Sequence, residues 1–290
     1  MEIIEFDDYI EVKSSQDFDI KQTLECGQVF RYKVRDFGYT VYSLDQKADI
    51  YCQNDGVKIF TNNKKYFMKY FDFCTNYAKI KSDLETNPIM KDAIKFGNGI
   101  RILNSDPLEM IIEFIISQNN NIPRIKGIIE KICENYGEKK GDYYAFPTLD
   151  ALKKIPLEFF SNIKCGYRDK YLYESIKMIN SVIDIDKIKS MKTEDARNEL
   201  MKLKGVGRKV ADCILLFGYH KTDVFPTDTW VVKAYRHYFS HVESNAVTIS
   251  NKFVEIFGEL SGFAQQYLFY QMRENKIGEK LWKKEKLHYC

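Results

Sequence analysis

The sequence predicts an α+β chain: an antiparallel sheet in the first third, then a mostly helical body containing a helix-hairpin-helix. Two observations carry this. Stretches rich in β-branched and aromatic residues, parted by glycine-bearing turn signals, fill residues 29–61. From residue 106 onward, strongly apolar or capped helical segments follow one another without a fixed-period repeat. Strands first and helices after is the order of an α+β arrangement, not of alternating βαβ units.

The elements follow in order. Residues 29–34, 39–44, 49–53 and 57–61 read as strands, with turns at Asp36-Phe37-Gly38 and Asn54-Asp55-Gly56. An aromatic, loosely patterned segment covers 64–81, and a helix is predicted over 83–96. Gly97-Asn98-Gly99 ends that helix and reads as a hinge, which divides the chain into a sheet domain with flanking helices, 1–97, and a helical body, 98–290. Asp106-Pro107 opens a helix over 108–117, since proline suits a first turn. Gln118-Asn119-Asn120-Asn121 breaks it, and Pro123 starts another that runs to residue 135. Phe146-Pro147-Thr148 caps a helix from Leu149, and further helices are predicted at 169–182, 193–202, 209–219, 229–239, 247–257 and 262–275.

Composition narrows the class. In 290 residues, 44% are apolar and 29% charged, with no run of 18 apolar residues, so no bilayer span is expected. The acidic start lacks a basic-then-apolar leader, and seven scattered cysteines, never closer than 22 residues apart, argue against a disulfide framework. A reducing cytoplasm is expected, and no zinc site. Residues 1–100 carry 14 basic and 16 acidic side chains, which leaves 30 basic and 25 acidic for residues 101–290. The basic excess lies in the helical part, as a nucleic-acid surface there would require.

The most informative stretch is Leu203-Lys204-Gly205-Val206-Gly207-Arg208-Lys209. Two glycines around one apolar residue, between two helices, leave backbone N–H groups bare for a phosphate. The next helix adds the positive end of its dipole. Lys209 falls in the first turn, where a cation is disfavoured by about 0.3–1 kcal/mol. That position and partial burial both predict a lowered pKa. A lysine at its ordinary value is only about one part in a thousand neutral at pH 7.4, and the neutral amine is the nucleophile. A lysine that merely pairs with DNA phosphate fits the hairpin equally well. Asp228, in Phe225-Pro226-Thr227-Asp228-Thr229, sits at a helix N-cap nineteen residues after Lys209 and can return beside it. A fixed carboxylate beside an amine suits attack at a sugar anomeric carbon, although a plain cap is the simpler role.

Gly205-Val206-Gly207-x-Lys209 followed by Pro226-x-Asp228 resembles the helix-hairpin-helix glycosylase superfamily. Cys26-Gly27-Gln28-Val29-Phe30-Arg31-Tyr32, Asp106-Pro107, Asn119-Asn120-Asn121-Ile122-x-Arg124-Ile125, Gly166-Tyr167-Arg168, Val210-Ala211-Asp212-Cys213 and Gly262-Phe263-Ala264-Gln265-x-x-Leu268-Phe269 narrow the resemblance to the 8-oxoguanine DNA glycosylase/AP lyase family. The likeness runs from about residue 20 to 275. It implies removal of 8-oxoguanine turned out of duplex DNA, by Schiff-base chemistry at Lys209 with Asp228, and strand cleavage by β-elimination. It further implies a base pocket of Gly27, Cys213, Phe217, Gln265 and Phe269. Oxidation at C8 turns N7 into an N–H donor, which the Gly27 carbonyl would accept. Asn119, Arg124, Tyr167 and Arg168 match the group that fills the vacated stack and holds the orphaned base, with two arginines favouring cytosine. Gly205, Val206 and Gly207 would grip the backbone. On spacing alone, Phe269 and Cys213 read as core residues and the arginines as surface ones.

The resemblance implies a DNA-bound monomer without metal or iron–sulfur cofactor, with room for a structural ion at the hairpin. After Cys213 only Cys290 remains, so the four-cysteine cluster of endonuclease III–like enzymes cannot be built. Two departures stand out: Trp230 and Met272 occupy places where the family commonly pairs a histidine with an aspartate. These bear on opposite-base stringency and turnover. A glycosylase for other oxidised bases and a non-catalytic helix-hairpin-helix DNA-binding protein are the competing readings.

Overall fold

Six antiparallel strands form one sheet at the start of the chain. In a computed structural model, residues 1–13, 16–239 and 245–276 are described. β1 (Ile3–Glu5) and β2 (Tyr9–Lys13) precede α1 (Ile20–Glu25). β3 (Tyr32–Arg35), β4 (Gly38–Ser43), β5 (Gln46–Gln53) and β6 (Gly56–Phe60) then fold back, giving the order β1-β2-β6-β5-β4-β3. Period-two alternation puts Ile10, Val12, Ile50 and Ile59 inside, and Ile59 pairs with both Ile10 and Ile50. The sequence reading found the last four strands and missed β1, β2 and α1. The predicted strand at 29–34 begins only at Tyr32, because residues 26–31 make the turn after α1.

Helices follow: α2 (Lys64–Tyr70), α3 (Tyr77–Leu84) and α4 (Pro88–Phe96). The single helix predicted over 83–96 is in fact two, since Asn87 accepts the Ile89 N–H and Pro88 restarts the chain in a first turn. The predicted hinge at 97–99 is a buttressed turn. Gly99 exchanges hydrogen bonds with Asp19, Thr23 and Gln22, and a Cβ on it would lie 2.3 Å from Asp19. Beside it the buried Arg101 donates to the carbonyls of Asp17, Phe71, Asp72 and Thr75 and lies 3.9 Å from the Tyr77 ring centroid.

The body begins with α5 (Pro107–Ser117), buried from Glu109 to Ile116, capped by Asp106. α6 (Ile122–Tyr136), a short hairpin of β7 (Lys139–Lys140) and β8 (Tyr143–Tyr144), α7 (Leu149–Lys153) and α8 (Leu157–Asn162) come next. They are followed by α9 (Arg168–Met178), α10 (Ile185–Ile188) and α11 (Thr193–Leu200). α12 (Arg208–Gly218), α13 (Thr229–Tyr238), α14 (Ala246–Phe257) and α15 (Ser261–Glu274) complete the described chain.

α5 and α12 are the central pair. Gly218 lets α12 close on Pro107 and Met110, and the Phe114 and Phe217 rings stack at 5.6 Å. Each such buried aromatic or aliphatic side chain contributes about 1.5–3 kcal/mol. One continuous apolar cluster joins the sheet to the helices, so the two parts share a core. Among the described residues no helix is long and apolar enough to cross a membrane.

Candidate active site

The hairpin between α11 and α12 has the conformation its glycines allow. Gly205 stands at φ +76°, and the Tyr171 ring lies 2.3 Å from where a Cβ would be, so no other residue fits. Val206 is buried, with its N–H on the Leu203 carbonyl at 3.1 Å, and Ser175 Oγ donates to the Lys204 carbonyl at 3.0 Å. Two hairpin carbonyls are thus occupied within the protein. Gly207, the N-cap of α12, is extended and has open space where a Cβ would project. A helix start with no side-chain cap and open space beside its N-cap glycine suits a phosphate.

Lys209 lies in the first turn of α12, and its side chain turns inward. Its Nζ is 5.5 Å from the Phe114 ring centroid, and it lines a cavity of about 30 Å³ with Asp212, Thr227 and Ser250. That cavity separates α12 from the loop bearing Asp228. Phe225 anchors the loop by stacking on Phe253 at 4.3 Å, and Ser250 Oγ bonds its carbonyl at 3.0 Å. Asp228 then caps α13, its Oδ1 accepting the N–H groups of Trp230 at 2.9 Å and Val231 at 3.0 Å. Both bonds fall on one oxygen, and Oδ2 accepts none from the described residues.

The lowered lysine pKa expected from the sequence is not what the surroundings produce. Burial does oppose the charge on Lys209, but Cys213 one turn along and the Asp228 carboxylate outweigh it and hold the amine above the ordinary lysine value. Burial pushes the Cys213 thiol up, against the pull of Lys209. Helix position, burial and the returning Asp228 were all visible in the sequence; that Asp228 and Cys213 together outweigh burial was not.

A second group of residues gathers around Gly27, which has φ +90°. A Cβ there would stand 3.6 Å from the Phe269 ring and 2.9 Å from Arg273 Nη1. Gln265, one turn before Phe269 on α15, is buried, and its Oε1 has no hydrogen-bond partner. An orphaned buried acceptor costs about 1–3 kcal/mol until a donor reaches it. α15 meets α12 where Gly262 accommodates Leu216, and Cys213 and Phe217 are buried on that same helix.

The third group surrounds the loop after α5. Asn119 is exposed at φ +45°. Arg124 and Arg168 converge on Gly166, their guanidinium nitrogens 3.8 and 3.7 Å from its Cβ position. Arg124 donates to the Lys164 carbonyl at 2.8 Å, and Tyr167 is 51% exposed with its hydroxyl on the Gln118 carbonyl. Arg168 is not the surface arginine that its spacing suggests. It is 2% exposed and donates to the carbonyls of Gln118, Asn119 and Cys165. In this state it holds the loop.

Residues 10–111 match the 8-oxoguanine DNA glycosylase N-terminal domain, and residues 112–259 match the HhH-GPD superfamily base excision DNA repair protein. The chain belongs to the 8-oxoguanine DNA glycosylase family. It is similar to the 8-oxoguanine glycosylase/lyase of Clostridium acetobutylicum, solved with double-stranded DNA containing cytosine opposite 8-oxoG. The identity is 39% and the TM-score 0.89, over 96% of this chain and 99% of that one. A probable N-glycosylase/DNA lyase of Methanothermobacter thermautotrophicus is 32% identical over 64% of this chain and 67% of its own length. The N-glycosylase/DNA lyase of Arabidopsis thaliana is 29% identical over 85% and 75%.

Within this family the two departures take physical form. Met272 is fully buried on α15, which packs against α13, and Trp230 in the first turn of α13 carries the Lys233 amine 4.0 Å from its ring. At these two positions the chain places a buried apolar side chain and a cation–π contact. Among the described residues no cluster of three His, Cys, Asp or Glu side chains is placed to hold a metal. His237 and His241 stand four apart in sequence, but His241, like Cys290, lies outside the described residues. Sequence reasoning missed Phe114 beside Lys209, Tyr171 under Gly205 and Arg273 at Gly27. Each comes from a distant segment, and nothing local in the sequence announces the contact.

Proposed function

We propose that the chain excises 8-oxoguanine from duplex DNA and then nicks the strand, with Lys209 as nucleophile for both steps. The observation that carries this reading is the inward-turned Lys209 amine, under the influence of the Asp228 carboxylate, at the start of the helix that follows a phosphate-gripping turn. The everted nucleotide brings C1′ to this amine. Lys209, having lost its proton, forms the N–C1′ bond as the N-glycosidic bond breaks, and the bonding pair leaves with the base, which takes up a proton. Opening of the sugar gives the Schiff base, and loss of a C2′ proton expels the 3′ phosphate. Asp228, fixed through Oδ1, offers Oδ2 to the positive charge that grows at C1′.

Base choice follows from the second group. The Gly27 carbonyl accepts the N7–H that only the oxidised base presents, and Gln265 Oε1 accepts from the Watson–Crick edge. Phe269 covers one face of the base; Cys213, with Phe217 behind it, covers the other. Asn119 and Tyr167 fill the gap in the duplex. Arg124, with Arg168 once released from its loop, faces cytosine, a reading that the cytosine opposite 8-oxoG in the Clostridium complex supports. Gly205, Val206 and Gly207 hold the backbone.

Borohydride reduction during incubation with an 8-oxoguanine duplex tests this. Wild type is expected to give a covalent protein–DNA adduct, and Lys209→Gln to give none while still binding. Asp228→Asn is expected to slow base release severely with little loss of affinity. No adduct with wild type leaves only a non-catalytic duplex-binding protein. Trapping on thymine glycol in place of 8-oxoguanine moves the enzyme to pyrimidine lesions.

A further inference from the structure

Gly27 follows directly on α1, whose last carbonyls lack helical partners. Two side chains of α15 supply them. Arg273 Nη2 donates to the Glu25 carbonyl at 2.7 Å, and Gln266 Nε2 donates to the Cys26 carbonyl at 3.2 Å. The next carbonyl is that of Gly27, which accepts no hydrogen bond from the described residues. Arg273 also lies 5.3 Å from the Phe269 ring centroid, within cation–π range, and its Nη1 stands 2.9 Å from the Gly27 Cβ position. Nε and Nη2 are steadied by Glu274 at 2.9 and 2.8 Å. The Arg273 side chain is 19% exposed. One side chain therefore touches both walls proposed for the base pocket, the Gly27 turn and the Phe269 ring.

We infer that Arg273 is a positioning residue for base recognition: by pinning the Glu25 carbonyl and the Phe269 ring together, it sets the gap between the Gly27 carbonyl and the stacking surface. A guanidinium suits this work because its plane can lie over a ring while its edge donates in a fixed direction, which an ammonium cannot do. The inference rests on the excision reading above. It adds a residue that works through Gly27 and Phe269 and takes no part in the chemistry at Lys209.

The test separates base capture from that chemistry. An abasic duplex offers C1′ to Lys209 with no base to hold, so Schiff-base trapping there bypasses the pocket. Arg273→Ala is expected to lower kcat/KM for 8-oxoguanine release on the order of tenfold, the scale of one desolvated cation–π contact. Trapping on abasic DNA should stay at the wild-type rate. Arg273→Lys should recover only part of the loss. Because Arg273 acts through the ring, adding Arg273→Ala to Phe269→Ala should cost little beyond Phe269→Ala alone. Wild-type excision by Arg273→Ala, an equal loss on abasic DNA, or fully additive losses in the double variant would each overturn the inference. Absence of 8-oxoguanine release by the wild-type enzyme would instead overturn the excision reading.

Discussion

Arg197 Nε donates to Asp212 Oδ1 at 2.6 Å, an ion pair buried between the two helices that flank the hairpin. Glu194 holds Arg197 from outside, and Arg208 lies 3.8 Å from the second Asp212 oxygen. Asp212 follows the proposed nucleophile by three residues on α12, so the pair fixes the base of that helix against α11. Removing one partner strands a buried charge. Asp212→Leu or Arg197→Met should therefore each cost about 3–5 kcal/mol in urea unfolding, and the double variant should recover much of that. Losses that simply add would deny the pairing an energetic role.

Proton occupancy of Lys209 sets the pH behaviour. A lysine held above 10.5 is charged in the free enzyme, and its neutral fraction grows tenfold with each pH unit. Schiff-base trapping on abasic duplex should climb with pH and show no plateau below about pH 9. Asp228→Asn removes one of the groups that keep the proton on, so its limb should shift to lower pH. A wild-type plateau near neutrality would mean the amine is already deprotonated. In folding, the raised value contributes stability below the unfolded pKa and loses it as pH rises through the folded one.

The two hairpin glycines should fail differently. Gly205→Ala places a methyl on the Tyr171 ring at positive φ, so it should cost on the order of 1–3 kcal/mol of stability as well as duplex binding. Gly207→Ala meets open space in an extended backbone and should leave unfolding unchanged. Its methyl points where a phosphate would approach, so affinity for undamaged duplex should fall alone. Equal melting temperatures for both variants would contradict this contrast.

Arg168 joins loop order to the partner choice proposed for it. Arg168→Ala leaves the carbonyls of Asn119 and Cys165 without their side-chain donor and the Gln118 carbonyl with the Tyr167 hydroxyl alone, at about 1–3 kcal/mol. The ratio of single-turnover rates for 8-oxoguanine opposite cytosine and opposite adenine should drop with it. Arg168→Lys, with no planar fork, should rescue neither. An unchanged ratio beside lost stability would confine Arg168 to holding the loop.

The contrast between legible and hidden features has physical causes. Helix starts were readable because Asp106, Thr148 and Asp228 each cap through their own side chains. The hairpin was readable because Gly205 answers a local demand, positive φ. β1 and β2 were not, since three or five residues mixing isoleucine with glutamate carry too short an alternation beside an acidic loop. The direction of the Lys209 shift turns on a balance between burial and two partners, one of them a turn away on the same helix, and the burial of Arg168 turns on carbonyls of a loop 50 positions away. Asn87-Pro88 is a miss of another kind: the break was written locally and read through.

Gln266 Nε2 reaches the Cys26 carbonyl across 240 positions of chain. The proposed recognition wall is therefore built from the first and last parts of the polypeptide, while the amine-bearing turn comes from the middle. These cross-chain contacts join the wall proposed for the base to two distant segments of the described chain, so substitutions in either segment should disturb lesion choice while leaving the turn that carries the amine intact.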